Sequence, residues 1–157
     1  MEQPGDDGVE RLLALLDSTP VVDGEPQDTL EAGGTAGVHL RAARTTLQAV
    51  VRAQAPTTVL AAALDGVHQV PDVDADGLTW RLVVEPDREP AVRVVLAWFA
   101  LEREHPGRLR PCANPACTLF LLDRSRAGTG RWCSMATCGN RAKARRHHER
   151  HRPNTNS

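Results

Sequence analysis

Tyrosine is absent from this chain, and aromatic residues make up only 3% of it. Apolar residues still reach 41%, enough for a packed core built from aliphatic side chains. No run of 18 or more apolar residues occurs, which excludes an ordinary membrane-spanning helix. The opening "MEQPGDDGVE" is acidic and polar, wrong for a signal or transit peptide. A cytoplasmic location with reduced thiols is therefore expected. No C-x-x-C pair is present, so a redox dithiol of that kind is not expected. No Ser/His/Asp set and no Gly-rich phosphate loop stands out, and catalysis is not expected either. Asp72, Asp74 and Asp76 in "DVDADG" alternate like calcium-loop acids, but the required Glu is missing and a hairpin explains them.

What the chain does have is unevenly placed. Its 157 residues suit one ordinary domain or two small ones, and its net charge is only −1. Yet residues 107–157 carry 11 Lys and Arg against Asp123 and Glu149, a net +9, while residues 1–106 carry 8 cations and 18 acids, a net −10. Such asymmetry points to a nucleic-acid-binding end on an acidic body. Pro106-Gly107 marks the expected boundary, giving an acidic helical domain at 1–106 and a basic module at 107–157.

In the first part, Leu12, Leu13, Leu15 and Leu16 form a helical stripe over residues 9–17. The Pro- and Gly-rich stretch that follows reads as an irregular connection. Leu40, Ala43, Leu47, Val50 and Val51 predict an amphipathic helix over 38–54, ended by Pro56. Val59, Leu60, Ala63, Leu64 and Val67 predict another over 57–68. Asp76-Gly77 between two β-rich runs is a hairpin signal, and Pro90 opens a strongly apolar helix that ends before Pro106. The fold class is α+β, mainly helical with one short hairpin.

All four cysteines fall in the basic part, spaced Cys112-x4-Cys117-x15-Cys133-x4-Cys138. Two close pairs separated by a mid-length loop describe a four-thiolate zinc site, each pair forming a tight turn that aims two sulfurs at one point. Metal binding in such modules is worth about 10–16 kcal/mol, far beyond the core of so short a segment. With four sulfur ligands no position remains for water or substrate, so one structural Zn²⁺ is expected. The reduced compartment disfavours a disulfide framework, and the irregular intervals disfavour an iron–sulfur cluster. Asn114-Pro115 favours a turn inside the first pair. Between the pairs a strand at 119–122, a turn at Gly128 and Gly130, and a return strand at 131–133 are expected. Cys138 then leads into a helix, giving a treble-clef or ribbon-like zinc fold. Phe120 and Trp132 read as core around the metal.

In that last helix Arg141, Arg145 and His148 share one face, and Lys143, Arg146 and Arg150 another. Like charges four apart destabilise an isolated helix by about a few tenths of a kcal/mol per pair. An external polyanion removes that repulsion and releases counterions. Arg124, Arg126 and Arg131 extend the candidate surface, and Asn140 serves either as a base contact or as a helix cap. A solvated tail, or docking on the acidic body, is the competing reading.

The stretch "RLRPCANPACTLFLLDRSRAGTGRWCSMATCGNRAKARRH" resembles the CGNR zinc finger, named for the tetrapeptide standing here as Cys138-Gly139-Asn140-Arg141. The shared elements include Cys-x-Asn-Pro-x-Cys at 112–117, Asp-Arg-Ser at 123–125 and Trp-Cys-Ser-Met at 132–135. The body resembles the helical N-terminal domain of stress-induced transcription regulators, through "LLALLDSTPVVDG", "DTL", "GLTWRLVVE" and "VLAWFALEREHPGRLRPC". That domain's Asn-Thr pair is replaced here by Asp17-Ser18. The resemblance implies zinc at Cys112, Cys117, Cys133 and Cys138, with nucleic-acid binding and transcription regulation as the role. DNA is the expected partner. RNA, or an acidic protein bound by a zinc-stabilised interaction module, is the alternative. A homodimer and a small-molecule effector on the N-terminal domain are further expectations.

Overall fold

The structure, a computed structural model, describes residues 6–151. Helix α1 (Asp6–Leu16) buries Val9, Leu12, Leu15 and Leu16 along one stripe, as their three- and four-residue spacing requires. Helix α2 (Gly34–Val51) begins earlier than Val38 and ends before Gln54. Its end is set by Ala53, which takes a left-handed φ of 56° and cannot continue a helix. Gly37 lies in its first turn, where a Cβ would stand 2.2 Å from the Ala32 carbonyl oxygen. The incoming chain therefore requires glycine there.

Residues 57–68 differ from expectation. They form a 3₁₀ helix over Thr57–Leu64 rather than an α-helix. Three β-branched residues open the segment, and Leu60 is its buried residue, so no wide apolar stripe holds a wider helix in place. Strands β3 (His68–Asp74) and β4 (Gly77–Val83) pair antiparallel, with Asp74 opposite Gly77. Asp74 Oδ1 accepts from the Asp76 and Gly77 N–H groups at 2.9 and 3.1 Å, so this acid works as a turn residue. Helix α3 (Glu89–Glu104) has Pro90 in its first turn, where no hydrogen bond is lost. It buries Ala91, Val92, Val94, Val95, Ala97, Trp98 and Leu101 and lies at the centre of the fold.

The connection between α1 and α2 holds only a two-residue ladder, β1 (Val21–Val22) with β2 (Glu25–Pro26). It is tied down by charge instead. Arg44, 6% exposed on α2, donates through Nη1 and Nη2 to the two Asp28 oxygens at 2.7 and 3.0 Å, a bidentate pair. Arg44 also donates to Ser18 Oγ at 2.7 Å, and Arg41 Nε donates to Asp28 at 2.9 Å. The Arg44 guanidinium first, then the Leu30 N–H and Arg41, hold the Asp28 carboxyl well below the usual range.

One apolar cluster joins α1, α2, the 3₁₀ helix and α3, and it also contains Leu109 and Phe120. These two belong to β5 (Leu109–Pro111) and β6 (Phe120–Leu122), which pair antiparallel. Here the expected topology is corrected. The strand ending at Leu122 pairs with an upstream segment, and residues 131–133 form no strand. The cause is Asp123, which turns the chain immediately after β6. Its oxygens accept from the Ser125 N–H at 3.0 Å, Ser125 Oγ at 2.6 Å and the Gly130 N–H at 2.7 Å. Residues 124–130 are thus gathered around one carboxylate. A π-helical turn (Met135–Gly139) then leads directly into α4 (Asn140–Arg150). Among the described residues no helix is long and apolar enough to cross a membrane.

Candidate metal centre and basic helix

The β5–β6 ladder brackets the first cysteine pair, so the segment 112–119 is a knuckle closed by its own strands. Its closing bond is Cys112 N–H to the Leu119 carbonyl at 2.9 Å. Within it, Cys117 N–H donates to the Asn114 carbonyl at 2.9 Å, and Ala116 N–H to Asn114 Oδ1 at 3.3 Å. This is the tight turn the Asn-Pro pair favours. Of the second pair, Cys133 lies just before the π-helical turn and Cys138 within it, and Gly139 N–H donates back to the Ser134 carbonyl at 3.0 Å. Ala113 N–H to the Arg131 carbonyl, 2.8 Å, holds the two halves together.

The ligand atoms of Cys112, Cys117, Cys133 and Cys138 all lie within 4.8 Å of one another. Cys117 to Cys133 is 3.7 Å and Cys133 to Cys138 is 3.8 Å. A tetrahedron with Zn–S bonds of about 2.3 Å has an edge of about 3.8 Å. The four sulfurs can therefore hold one zinc ion, and all-cysteine ligation makes that zinc structural. Two further donors surround the sulfurs. Asn114 Nδ2 donates to Cys138 Sγ at 3.3 Å, and Cys133 N–H to Cys112 Sγ at 3.5 Å. Such outer contacts fix ligand orientation in thiolate sites. The Asn114 amide is the largest influence on Cys138 and brings its thiol down to about 7. Burial is the main influence pushing Cys117 and Cys133 up, and at Cys133 the neighbouring thiols add to it. A dication at the centre reverses that balance by favouring all four thiolates.

The cations divide into two groups. Arg108 donates to the Ser125 carbonyl at 2.6 Å, and Arg110 to the Gly128 carbonyl at 2.8 Å and to the Asp123 carboxylate. These two staple the 123–130 loop. Asp123 is held down to about 2, by Ser125 first and by Gly130 and Arg110 in addition. Gly130 must be glycine here, since a Cβ would stand 2.9 Å from the Asp123 carboxylate.

The other group faces solvent. Arg124, Arg126, Arg131, Arg141, Lys143, Arg145 and Arg146 are all exposed, as are His147, His148 and Arg150. In α4 only Ala142 is buried, and the helix packs against the π-helical turn before it. Arg145 meets Glu149 at 3.8 Å with both side chains about 60% exposed, an ion pair of little energetic consequence. His147 and His151 stack with centroids 4.2 Å apart. Asn140 Nδ2 donates to the Ala136 carbonyl at 3.2 Å, which ties α4 to the zinc turn. Arg131 lies over Trp132 at 5.4 Å, next to the turn that carries Cys138. Arg124 and Arg126 lie elsewhere, lining with Glu104 and His105 a cavity of about 450 Å³ at the end of α3.

Sequence spacing located the sulfurs but missed Asn114 as a sulfur donor, Asp123 as the loop's centre, and the contact with the body. In that contact Arg52 Nη2 donates to the Thr118 carbonyl at 2.7 Å and lies over the Phe120 ring at 4.4 Å. Thr118 Oγ1 donates to the Thr19 carbonyl at 2.6 Å. Phe120, 2% exposed, is core, but in the cluster of the helical body rather than around the metal as expected, and Trp132 is half-buried. Among curated proteins no match to the chain is found. Residues 108–151, which hold the four sulfurs, the Asp123 loop and α4, match the family model of the CGNR zinc finger.

Proposed function

We propose that this chain is a zinc-stabilised nucleic-acid-binding protein, acting on DNA as a transcription regulator. The observation that carries the reading is α4. It is an eleven-residue helix, exposed except at Ala142, that holds Arg141, Lys143, Arg145, Arg146 and Arg150 and starts directly from the turn carrying Cys138. Among the described residues no acid of the body forms an ion pair with these side chains, and Arg145 meets only Glu149 of the same helix; duplex phosphates supply counter-charge. Arg presents a planar donor fork that suits bidentate phosphate or guanine contact. Asn140 is engaged with Ala136, so it orients the helix and leaves base contact to the residues after it.

On this reading the module is a treble-clef-like finger in the cytoplasm. The acidic part serves as the regulatory domain of a stress-induced regulator, and the "GLTWRLVVE" and "VLAWFALERE" stretches of the resemblance form β4 and α3. The test is a triple variant, Arg141→Ala, Arg145→Ala and Arg146→Ala, assayed on duplex DNA and RNA by fluorescence anisotropy. Affinity for DNA falls at least tenfold while one zinc per chain is retained. Unchanged DNA affinity in a zinc-loaded triple variant contradicts the reading. Stronger binding to RNA moves the assignment to RNA.

A further inference from the structure

Arg124 and Arg126, grouped by sequence with the basic surface, stand apart from α4 in the fold. They line the cavity of about 450 Å³ where the end of α3 meets the Asp123 loop. None of its lining residues comes from α4 or from the zinc turn. Val9 of α1, Leu101 of α3 and Leu122 of β6 supply the apolar part of the wall. Val9 and Leu101 are core residues, 9% and 3% exposed, so the cavity reaches down to the packed helices. The charge of the wall is unbalanced. Of its two acids, Asp123 is engaged by Arg110, Ser125 and Gly130, and Glu104 meets Arg103 at 3.6 Å. Neither Arg103 nor Arg110 lines the cavity. Arg108 does, and it donates to the carbonyls of Asp123 and Ser125 at 3.3 and 2.6 Å. Among the described residues neither Arg108, Arg124 nor Arg126 forms an ion pair with a carboxylate. Three guanidinium groups thus gather beside an apolar floor, on a loop whose shape Asp123 fixes. Like charges held together repel, and an anion seated between them removes that repulsion.

We propose that this cavity binds a small organic anion, a carboxylate or phosphate carried on a compact apolar group. Its volume falls within the about 300–1,000 Å³ of small-molecule sites, which likewise combine apolar walls with a few convergent polar groups. Each half of the ligand answers one half of the wall. The arginines suit an oxyanion, since a guanidinium fork gives two parallel N–H bonds to a carboxylate or phosphate. The floor of Val9, Leu101 and Leu122 suits an apolar group, and a bare phosphate ion leaves it uncovered. A nucleic-acid backbone would touch the exposed arginines at the rim and leave the floor equally empty. One wall belongs to helices of the acidic body and the other to the loop of the zinc module. The anion therefore bridges the two parts, and its site differs from an effector pocket lying wholly within the N-terminal domain. The proposal involves neither the zinc site nor α4, so it stands or falls apart from the nucleic-acid reading.

The experiment is calorimetric titration of the zinc-loaded full chain with phenyl phosphate and with benzoate, followed by amide NMR. At least one of the two binds at millimolar concentration or tighter, and the tighter one identifies the oxyanion. The amides that shift cluster at residues 101–108 and 122–126. Arg124→Ala combined with Arg126→Ala weakens that binding about tenfold or more, as the loss of two charged donors requires. Both positions are exposed, so the double variant keeps the wild-type helical signal and one zinc per chain. Benzyl alcohol keeps the ring without the charge, and inorganic phosphate keeps the charge without the ring. Each binds about tenfold more weakly than the better anion. Absence of binding by both organic anions overturns the proposal. Binding that survives the double change, or that shifts only amides of α4, overturns it as well. Inorganic phosphate binding as tightly as phenyl phosphate overturns it in favour of a general attraction to phosphate.

Discussion

Asp17 Oδ1 accepts the backbone N–H of Phe120 at 2.8 Å, joining the end of α1 to a strand 103 residues away. Phe120 sits in the core cluster with the helices, so the zinc knuckle is docked on the body through its outgoing strand. Burial pushes the Asp17 carboxyl up, only partly offset by this bond. An acid raised in the folded state loses stabilising influence as pH rises through its folded value. Asp17→Asn keeps an acceptor and removes the buried charge, and at pH 7 it is at least as stable as wild type. Asp17→Ala leaves the Phe120 N–H unpaired and costs about 1–3 kcal/mol. Urea unfolding of the two variants distinguishes these outcomes.

Asn114 is the residue whose loss most selectively weakens the metal centre. It supplies both the turn inside the first cysteine pair and the donor to Cys138. Asn114→Ala lowers zinc affinity by roughly 10–100-fold, the usual effect of losing an outer contact to a ligand. Competition against a chromogenic chelator measures it. Leu47, fully buried in α2, is the converse case. Leu47→Ala costs about 2–5 kcal/mol of stability and leaves zinc stoichiometry at one.

Acid sensitivity of the body follows from Asp28. Its folded-state carboxyl lies well below the ordinary aspartate range, held there by Arg44 first. A lowered acid gives stability that is present above its unfolded value and lost as pH falls toward the folded one. The helical signal of the wild type therefore weakens progressively below about pH 4, where aspartates of ordinary pKa begin to protonate. Asp28→Asn is destabilised at neutral pH and shows a flatter acid limb, followed by circular dichroism against pH.

Much of this was legible in the sequence because it depends on local period or spacing. The leucines of α1, the apolar run of α3 and the Asp-Gly hairpin each carry their own pattern. The four sulfurs needed only two turns and a loop. What escaped depends on distant residues. β5 is three residues long and contains Pro111, so no strand pattern marks it, and sequence alone points the Phe120 strand to residues 131–133 instead of to β5. Residues 57–64 have helical spacing, but α- and 3₁₀-helices share it over so short a stretch. Asn114 meets Cys138 only after the chain has closed across 24 positions, and the hydrogen bonds around Asp123 are equally invisible before folding.

Gly130→Ala tests that last arrangement. The added methyl would press on the Asp123 carboxylate at 2.9 Å, displacing it from Ser125 and Arg110. A loss of about 1–3 kcal/mol is expected, with hydrogen exchange accelerating at residues 123–130 and unchanged in α3.

The central claim is that the zinc turn exists to present α4 to a polyanion. Titrating the zinc-loaded chain into duplex DNA across a salt series tests it most directly. Each phosphate contact contributes about −0.9 to the slope of log affinity against log salt, so three to five contacts from α4 predict a slope of about −2.7 to −4.5. A slope indistinguishable from zero, or no binding at the lowest salt, contradicts the account.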